Sequence, residues 1–552
     1  MVRRLVLIAI GVAAGAALAV APPPVRGRGV VAADHPAASE AGAEMLRRGG
    51  NAVDAVVAAA LSAGVVQPAG SGLGGGGFGI VVDADGTRRF LDFRETAPAA
   101  ATRDMFAGGE KGASTVGRLA VATPGESRGL ARMLACCGTL PPAVVAGPAI
   151  RQAADGFVVG PHLAASLGRA PDTVVRGLFP LHPGIPGDGD RVQRPELART
   201  LKRWARTAGE DLATGAGALA ISAAVTGAVT PADLASYEIV EREPLVGTYR
   251  GWTVITAPPP SSGGVILLQM LAVLESFDPT LGQDPPITGL GSADYVHLLT
   301  EIMKHAYADR AHHLGDPGFV DVPVKRLLSA ARIAEIRAAV AMDHTNPPDF
   351  YGSPIAPPVD AGTQHISALD GRGGAAGITT TVNTSFGSGV IVPSLGIVLN
   401  NQMDDFATVP GVPNAFGLVG SEANAVAAGK RPLSSMTPTI LVDPTGKVAI
   451  SVGGSGGSFI PSAVLEVVVG MVDFGLDPQE AVSAPRFHHQ WMPDQLVVEP
   501  GFPSDVIVAL RTRGHTVVVR EGFSAVQAVR LDGETRVGGA DPRKDGRPAA
   551  AW

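Results

Sequence analysis

Residues 363–383, which read TQHISALDGRGGAAGITTTVN, carry the clearest structural signal in this chain. Two strand-like runs, the second of them rich in β-branched residues, flank the loop Gly371-Arg372-Gly373, and this pattern predicts a β-hairpin. If Asp370 pairs with Gly374, Thr363 at the start of the first strand faces Thr381 on the second. The two side chains would then be cross-strand neighbours, with Cβ atoms about 5 Å apart and hydroxyls side by side. The spacing alone favours an ordinary threonine pair on a half-buried sheet.

The composition is that of a globular protein with a large aliphatic core. The chain has 552 residues, of which 46% are hydrophobic and 17% charged, while aromatic residues make up only 5%. Lys and Arg number 44 against 51 Asp and Glu, which gives a formal net charge of −7. This balance provides no basic surface for nucleic acid and argues against that class of function.

The N-terminus has the pattern of a secretory signal peptide. Arg3 and Arg4 precede an apolar run over residues 5–21, and Pro22 follows at once. A small-x-small cleavage site ends at Ala21. We therefore expect residues 1–21 to be removed and the mature protein to be periplasmic or secreted, with no membrane attachment; an uncleaved anchor is the alternative.

Cysteine and histidine residues give no metal-site pattern. Cys136 and Cys137 are adjacent, and we expect neither a disulfide between them nor a cysteine metal site. The histidine pairs at residues 312–313 and 488–489 are neighbours in sequence, so their side chains do not converge on one ion. We expect no metal and no cofactor.

Several elements can be assigned from periodicity and Gly or Pro positions. We expect a polar linker over residues 22–29, helices over 36–48, 52–65 and 265–274, and an exposed extended connection over 351–362. The glycines at 72, 74 and 77 fit the dinucleotide fingerprint in spacing only, because a helix precedes them and a strand over 78–82 follows. A tight turn is the better interpretation.

Several long blocks resemble one family. They are Gly49-Gly50-Asn51-Ala52-Val53-Asp54, Asp92-Phe93-Arg94-Glu95-Thr96-Ala97-Pro98, Pro258-Pro259-Pro260-Ser261-Ser262-Gly263-Gly264, Asn383-Thr384-Ser385-Phe386-Gly387-Ser388-Gly389, Asn400-Asn401-Gln402-Met403-Asp404-Asp405-Phe406, Lys430-Arg431-Pro432-Leu433-Ser434-Ser435-Met436-Thr437-Pro438-Thr439 and Pro485-Arg486-Phe487-His488-His489-Gln490-Trp491. Together with the segment after His365, they resemble the γ-glutamyltranspeptidase family of N-terminal nucleophile hydrolases. The resemblance covers roughly residues 33–541.

The resemblance implies an α+β fold, the four-layer αββα sandwich, and a precursor that cuts itself between Gly362 and Thr363. A large chain of residues 22–362 and a small chain of 363–552 would then form one domain with interleaved strands. The freed α-amine has a reference pKa of about 7.7–8.0 and can activate the hydroxyl of its own residue. Thr363 would be the nucleophile, and Thr381 would orient its hydroxyl.

The resemblance also implies a pocket for the free α-carboxylate and α-ammonium of a γ-glutamyl group. Arg94, Ser434 and Ser435 would hold the carboxylate, and Asn383, Gln402 and Asp405 would hold the ammonium. The backbone N–H groups of Gly456 and Gly457 would stabilise the oxyanion. Glutathione would be the main donor, and the γ-glutamyl ester would pass to water, an amino acid or a dipeptide.

Two positions depart from the family pattern. Gln364 replaces a second threonine after the nucleophile, and Phe416 occupies the usual tyrosine position of a lid loop over residues 407–429. We expect a leakier lid, and therefore more hydrolysis relative to transfer.

Three other functions stay open at this point. The first is that of a related acylase, which would cleave cephalosporin or glutaryl amides. Gly453-Gly454-Ser455-Gly456-Gly457 matches the G-x-S-x-G motif of serine hydrolases, with Asp477 and His488 or His489 following it. A secreted binding protein whose nucleophile no longer matures is the third, and the presence of Thr363 and Thr381 argues against it.

Overall fold

The computed structural model describes residues 23–107, 110, 112–277, 289–352, 362–407 and 422–552. The predicted signal peptide and Phe416 lie outside these residues, as do residues 353–361 of the predicted connection. Two seven-stranded antiparallel sheets form the centre of the fold. Among the described residues, none of the helices combines the length and apolar character needed to cross a lipid bilayer.

The described strands, in chain order, are β1 (Val25–Gly27), β2 (Gly29–Ala33), β3 (Gly76–Val82), β4 (Arg88–Phe93), β5 (Phe157–Val158), β6 (Arg191–Val192), β7 (Val240–Arg242), β8 (Leu245–Tyr249), β9 (Trp252–Thr256), β10 (Thr363–Leu369), β11 (Ala375–Thr381), β12 (Ile391–Val392), β13 (Ile397–Val398), β14 (Thr439–Val442), β15 (Val448–Ser455), β16 (Phe487–His488), β17 (Leu496–Val498), β18 (Val517–Val519), β19 (Ala525–Asp532), β20 (Thr535–Ala540) and β21 (Ala549–Ala551).

The described α-helices are α1 (Pro36–Arg47), α2 (Ala52–Val66), α3 (Glu126–Cys137), α4 (Pro142–Val145), α5 (Gly147–Asp155), α6 (Pro161–Leu167), α7 (Asp172–Leu178), α8 (Pro195–Thr207), α9 (Ala216–Ala224), α10 (Pro231–Ser236), α11 (Gly263–Glu275), α12 (Ala293–His313), α13 (Val324–Leu327), α14 (Ala330–Ala339), α15 (Ile460–Val472), α16 (Pro478–Ser483) and α17 (Ser504–Thr512).

Each sheet contains strands from both sides of the Gly362–Thr363 bond. The order of the first sheet is β1-β20-β19-β15-β14-β9-β8, and that of the second is β21-β2-β10-β11-β3-β4-β7. Strands β10 and β11, which follow Thr363, pair with β2 and β3, which precede it. The two parts of the chain therefore share one core and form a single domain.

Alternating side chains of the second sheet are buried on opposite faces. Val30 and Ala32 of β2 belong to the core between the two sheets, whereas Val31 and Ala33 pack in the core that contains α1 and α2. The first sheet packs its outer face against α11 and α15. This period-two burial produces the four layers αββα, and the predicted fold class is confirmed.

Glycines in β15 allow the two sheets to approach each other behind the hairpin. A Cβ on Gly453 would lie 2.3 Å from the ring of His365, which is fully buried and bonds Thr379 Oγ1 at 2.8 Å. Ser367 Oγ donates to Gln527 O across the sheets at 3.1 Å. The hairpin is therefore fixed from the sheet opposite.

Most of the predicted elements agree with the structure, but two expectations were wrong. Residues 22–29 are not a linker, because β1 pairs with β20 at a sheet edge, where a strand needs few apolar residues. Cys136 and Cys137 are joined in a disulfide despite being adjacent. Cys137 is the last residue of α3, so no further helical turn constrains its backbone.

Candidate active site

The threonine pair lies at one end of the central hairpin. The antiparallel register places Thr363 opposite Thr381, which confirms the pairing predicted from the sequence. Their hydroxyl oxygens are 3.0 Å apart, and both residues are buried. Gly75 lets the backbone just before β3 approach β11 closely, since a Cβ on Gly75 would lie 2.0 Å from Thr381 O.

The Thr381 hydroxyl connects Thr363 to the peptide bond that precedes it. It donates to Gly362 O at 2.7 Å and accepts from Asn383 N at 2.8 Å. A hydroxyl has one proton to donate. Thr363 Oγ1 therefore donates to Thr381 Oγ1, and the Gly362 carbonyl is polarised by Thr381.

Lys544 contacts Thr363 through the backbone. Its Nζ donates to Thr363 O at 2.8 Å and to Ser455 Oγ at 2.9 Å. Asp34 Oδ2 lies 3.8 Å from the same Nζ, and burial raises the pKa of the Asp34 carboxyl to about 6. The ammonium group thus anchors the carbonyl of the first residue of β10.

Nine of the predicted site residues line one small cavity. They are Arg94, Thr363, Thr381, Asn383, Gln402, Asp405, Ser434, Ser435 and Gly457. Gly456 lines a larger neighbouring cavity of about 590 Å³, which also reaches Gly362 and Thr363. The small cavity has a volume of about 20 Å³, which holds about one water molecule.

The two ends of the predicted substrate pocket are in direct contact. The Arg94 guanidinium forms an ion pair with the Asp405 carboxylate, and Gln402 Nε2 donates to the same carboxylate at 2.6 Å. Arg94 Nη1 lies 3.7 Å from the carboxyl of Glu95, whose pKa is raised by burial to about 8. The sequence assigned Arg94 and Asp405 to opposite ends of a ligand, whereas here they neutralise each other.

The predicted oxyanion donors lie where β15 ends. Gly456 has a φ of 128° and Gly457 a φ of 57°, both in the region that favours glycine. A Cβ on Gly456 would lie 2.7 Å from Phe523 O. Gly456 and Thr363 both line the larger cavity, and Gly457 and Thr363 both line the small one.

Sequence reasoning missed Arg310, which also lines the small cavity. It lies on α12 and is buried, and its Nη2 donates to Ser435 Oγ at 3.2 Å. The signal that could have identified Arg310 is its position on a mostly buried helix, because a buried charge requires partners.

The serine-hydrolase alternative lacks its geometry. Ser455 is fully buried and accepts from Lys544, while His488 bonds Ser462 Oγ at 2.7 Å and Asp477 caps α16. Burial lowers the pKa of His488 to about 3, which makes it a poor base.

One cluster of potential metal ligands was not predicted. His297, Glu301 and His515 bring their ligand atoms within 4.8 Å of one another. The Lys304 ammonium, however, donates to Glu301 Oε1 at 2.8 Å. The Lys304 ammonium therefore already neutralises the Glu301 carboxylate, which is the role a metal ion would have.

The comparisons with known proteins agree with this geometry. The family model described as Gamma-glutamyltranspeptidase matches residues 38–551. The chain belongs to the γ-glutamyltranspeptidase family. As a member, it is an enzyme of the N-terminal nucleophile hydrolase type, and the predicted recognition is confirmed.

Relatives of two kinds cover nearly the whole chain. The glutathione hydrolase proenzyme of Escherichia coli (strain K12) is 40% identical over 94% of this chain and 91% of its own length. The acylase ACY 1 proenzyme of Pseudomonas sp. (strain V22) is 38% identical over 96% and 94%. The solved structure of cephalosporin acylase from Bacillus halodurans superposes with a TM-score of 0.84 at 30% identity, covering 96% of this chain and 97% of that one.

Proposed function

We propose that this enzyme is an autoprocessed γ-glutamyltransferase and glutathione hydrolase with Thr363 as its nucleophile. The observation that carries the proposal is the buried Thr363–Thr381 pair beside a cavity that contains both a cation and an anion. A γ-glutamyl group presents an α-carboxylate and an α-ammonium at one end, and it therefore needs both charges nearby.

Autocleavage begins with attack by Thr363 Oγ1 on the carbonyl carbon of Gly362. The hydroxyl proton passes to the leaving nitrogen of Thr363, the C–N bond breaks, and an ester forms. Thr381 donates to the oxygen that becomes negatively charged, which is the interaction that stabilises such a transition state. This N→O acyl shift frees the α-amine of Thr363. Water then hydrolyses the ester, which frees the carboxylate of Gly362 and restores the hydroxyl of Thr363.

In the mature enzyme the α-amine of Thr363 is the general base for its own hydroxyl. Thr363 attacks the γ-carbonyl of the donor, and the N–H groups of Gly456 and Gly457 stabilise the oxyanion. The amine leaves with a proton, and a γ-glutamyl ester remains on Thr363. Water converts this ester to glutamate, whereas an amino acid or dipeptide accepts the glutamyl group by transpeptidation.

Substrate binding requires the small cavity to widen. A volume of about 20 Å³ is too small for a glutamyl group, and the Arg94–Asp405 ion pair lies across it. We infer that the substrate's carboxylate replaces Asp405 as the partner of Arg94 and also binds Ser434 and Ser435. Asp405, Gln402 and Asn383 then bind the ammonium.

A second candidate activity is hydrolysis of glutaryl or cephalosporin amides. The acylase relatives favour it, because they are as similar to this chain as several glutathione hydrolases are. A glutaryl group lacks the ammonium, so it would leave the Asp405 carboxylate without its cation. The geometry therefore supports the γ-glutamyl activity better.

Export and maturation complete the proposal. Removal of residues 1–21 and cleavage after Gly362 would give chains of residues 22–362 and 363–552 that stay associated through their interleaved strands. The mature enzyme would be periplasmic or secreted, where it would act on glutathione and other γ-glutamyl compounds.

N-terminal sequencing of the purified protein tests maturation, and the expected small-chain sequence is TQHIS. Turnover of γ-glutamyl-p-nitroanilide, with and without a dipeptide acceptor, tests the activity, with glutaryl-p-nitroanilide as the competing substrate. Thr363→Ala is the control and should remain uncleaved and inactive. An unbroken wild-type chain that still consumes glutathione would refute the mechanism.

A further inference from the structure

Arg310 is a buried cation at the wall of the small cavity. It is 3% exposed, and its guanidinium donates to Ser262 Oγ at 2.9 Å and to Ser435 Oγ at 3.2 Å. Ser262 Oγ itself donates to Ser434 O at 2.6 Å. Arg310 therefore reaches the Ser434–Ser435 turn from behind α11 and contacts one of the hydroxyls assigned to the substrate carboxylate.

The Asp405 carboxylate stabilises the charge of Arg310 at longer range rather than through a direct contact. Within the described residues Arg310 forms no ion pair, whereas Arg94 pairs with Asp405 and lies near Glu95. Desolvation lowers the pKa of Arg310 to about 10, which still leaves it protonated at neutral pH. A buried charge without a direct partner is costly, so its retention needs a reason.

Arg194 shows what a purely structural arginine looks like in this protein. It is 2% exposed and also forms no ion pair in the described part of the chain. Its guanidinium, however, donates to three backbone carbonyls, those of Gly64 at 2.7 Å, Val65 at 2.9 Å and Gly396 at 2.7 Å. Among the described residues, the hydrogen-bond partners of Arg310 are two hydroxyl groups, and one of them, that of Ser435, belongs to a residue that lines the cavity.

We propose that Arg310 is a second cation for the α-carboxylate of the γ-glutamyl substrate, acting together with Ser435. The inference rests on the proposed function and extends it. Asp405 pairs directly with Arg94 in this structure. A carboxylate that enters the cavity therefore finds Arg310 as a cation that forms no direct ion pair within the described residues. Once Asp405 binds the ammonium, both arginines share the carboxylate.

Two anilides that differ only in the carboxylate test this role. They are γ-glutamyl-p-nitroanilide and 4-aminobutanoyl-p-nitroanilide, which lacks the α-carboxylate. For Arg310→Met we expect kcat/KM for the γ-glutamyl substrate to fall about 10- to 100-fold, mainly through KM. For the 4-aminobutanoyl substrate we expect less than a threefold change. The ratio of the two values is the readout.

Arg310→Lys guards against a folding defect, because it keeps the charge and a donor. It should be processed to two chains and recover at least part of the lost ratio. The matched control is Arg194→Met, which should lower thermal stability and leave the ratio unchanged. Dissociation constants of glutamate and 4-aminobutanoate, which differ in the same α-carboxylate, give the same comparison from binding alone.

The outcomes separate the two proposals. If the wild-type enzyme does not turn over γ-glutamyl-p-nitroanilide, the proposed function fails. If the wild type is active and the Arg310 variants lose activity equally on both anilides, Arg310 only supports the Ser434–Ser435 turn and this inference is wrong. A ratio that Arg310→Met leaves unchanged overturns it as well.

Discussion

The contact between Thr381 and the Gly362 carbonyl predicts a specific defect in autocleavage. Thr381→Val keeps the shape of the side chain and removes the hydroxyl, which lies 2.7 Å from Gly362 O and 3.0 Å from Thr363 Oγ1. Loss of one donor to a developing oxyanion slows reactions of this kind by about 10²–10³-fold. We expect cleavage of the precursor to slow by that factor.

The same substitution leaves a buried N–H group without a partner. Asn383 N donates to Thr381 Oγ1 at 2.8 Å, and an unsatisfied buried donor costs about 1–3 kcal/mol. Urea denaturation of the uncleaved Thr363→Ala protein, with and without Thr381→Val, measures this loss of folding free energy separately from the cleavage rate. A smaller loss than about 0.5 kcal/mol would mean that water replaces the hydroxyl.

The assay is a chase after cell-free synthesis, in which denaturing electrophoresis follows the conversion of one band to two. Thr381→Ser is the matched control, since it retains the hydroxyl and should process within about tenfold of the wild type. If Thr381→Val matured as fast as the wild type while its folding stability fell as expected, the proposed role of the hydroxyl in cleavage would be refuted.

Three further predictions concern charged groups around the nucleophile. Burial raises the pKa of Glu95 to about 8 from 4.5, so the folded state holds a proton that the unfolded state releases. The free energy of unfolding should therefore fall as pH rises from about 4.5 to 8, and Glu95→Gln should flatten this dependence in urea titrations. Asp405→Asn should lower kcat/KM for γ-glutamyl-p-nitroanilide about 10- to 100-fold and spare glutaryl-p-nitroanilide, and equal losses would argue against an ammonium site. Lys544→Met removes the charged hydrogen bond to Thr363 O and should cost about 1.5–3 kcal/mol in chemical denaturation, whereas an unchanged midpoint would show that this contact is not stabilising.

Local patterns predicted the elements whose apolar residues repeat regularly. The hairpin of residues 363–383 and its register follow from the loop length and the run of β-branched residues in the second strand. The edge strand β1 was missed, because its side chains are partly exposed and leave no apolar pattern. The disulfide between Cys136 and Cys137 was missed for a different reason, since the general geometry of disulfides disfavours adjacent residues.

The motif blocks predicted the site residues, but they could not give the contacts between them. Arg94 and Asp405 are 311 positions apart and belong to separate motifs, so their direct ion pair depends on how β4 and the segment after β13 come together. Arg310 lies on a helix in the middle of the chain and reaches the cavity only because α12 packs beside α11.

The linear order of residues thus specifies the hairpin, the pairing of Thr363 with Thr381 and the family, because each depends on short-range pattern or on motifs read directly. The charge balance of the pocket depends on side chains from distant segments. Coulomb and desolvation energies depend on distance and burial, which exist only after the chain has folded.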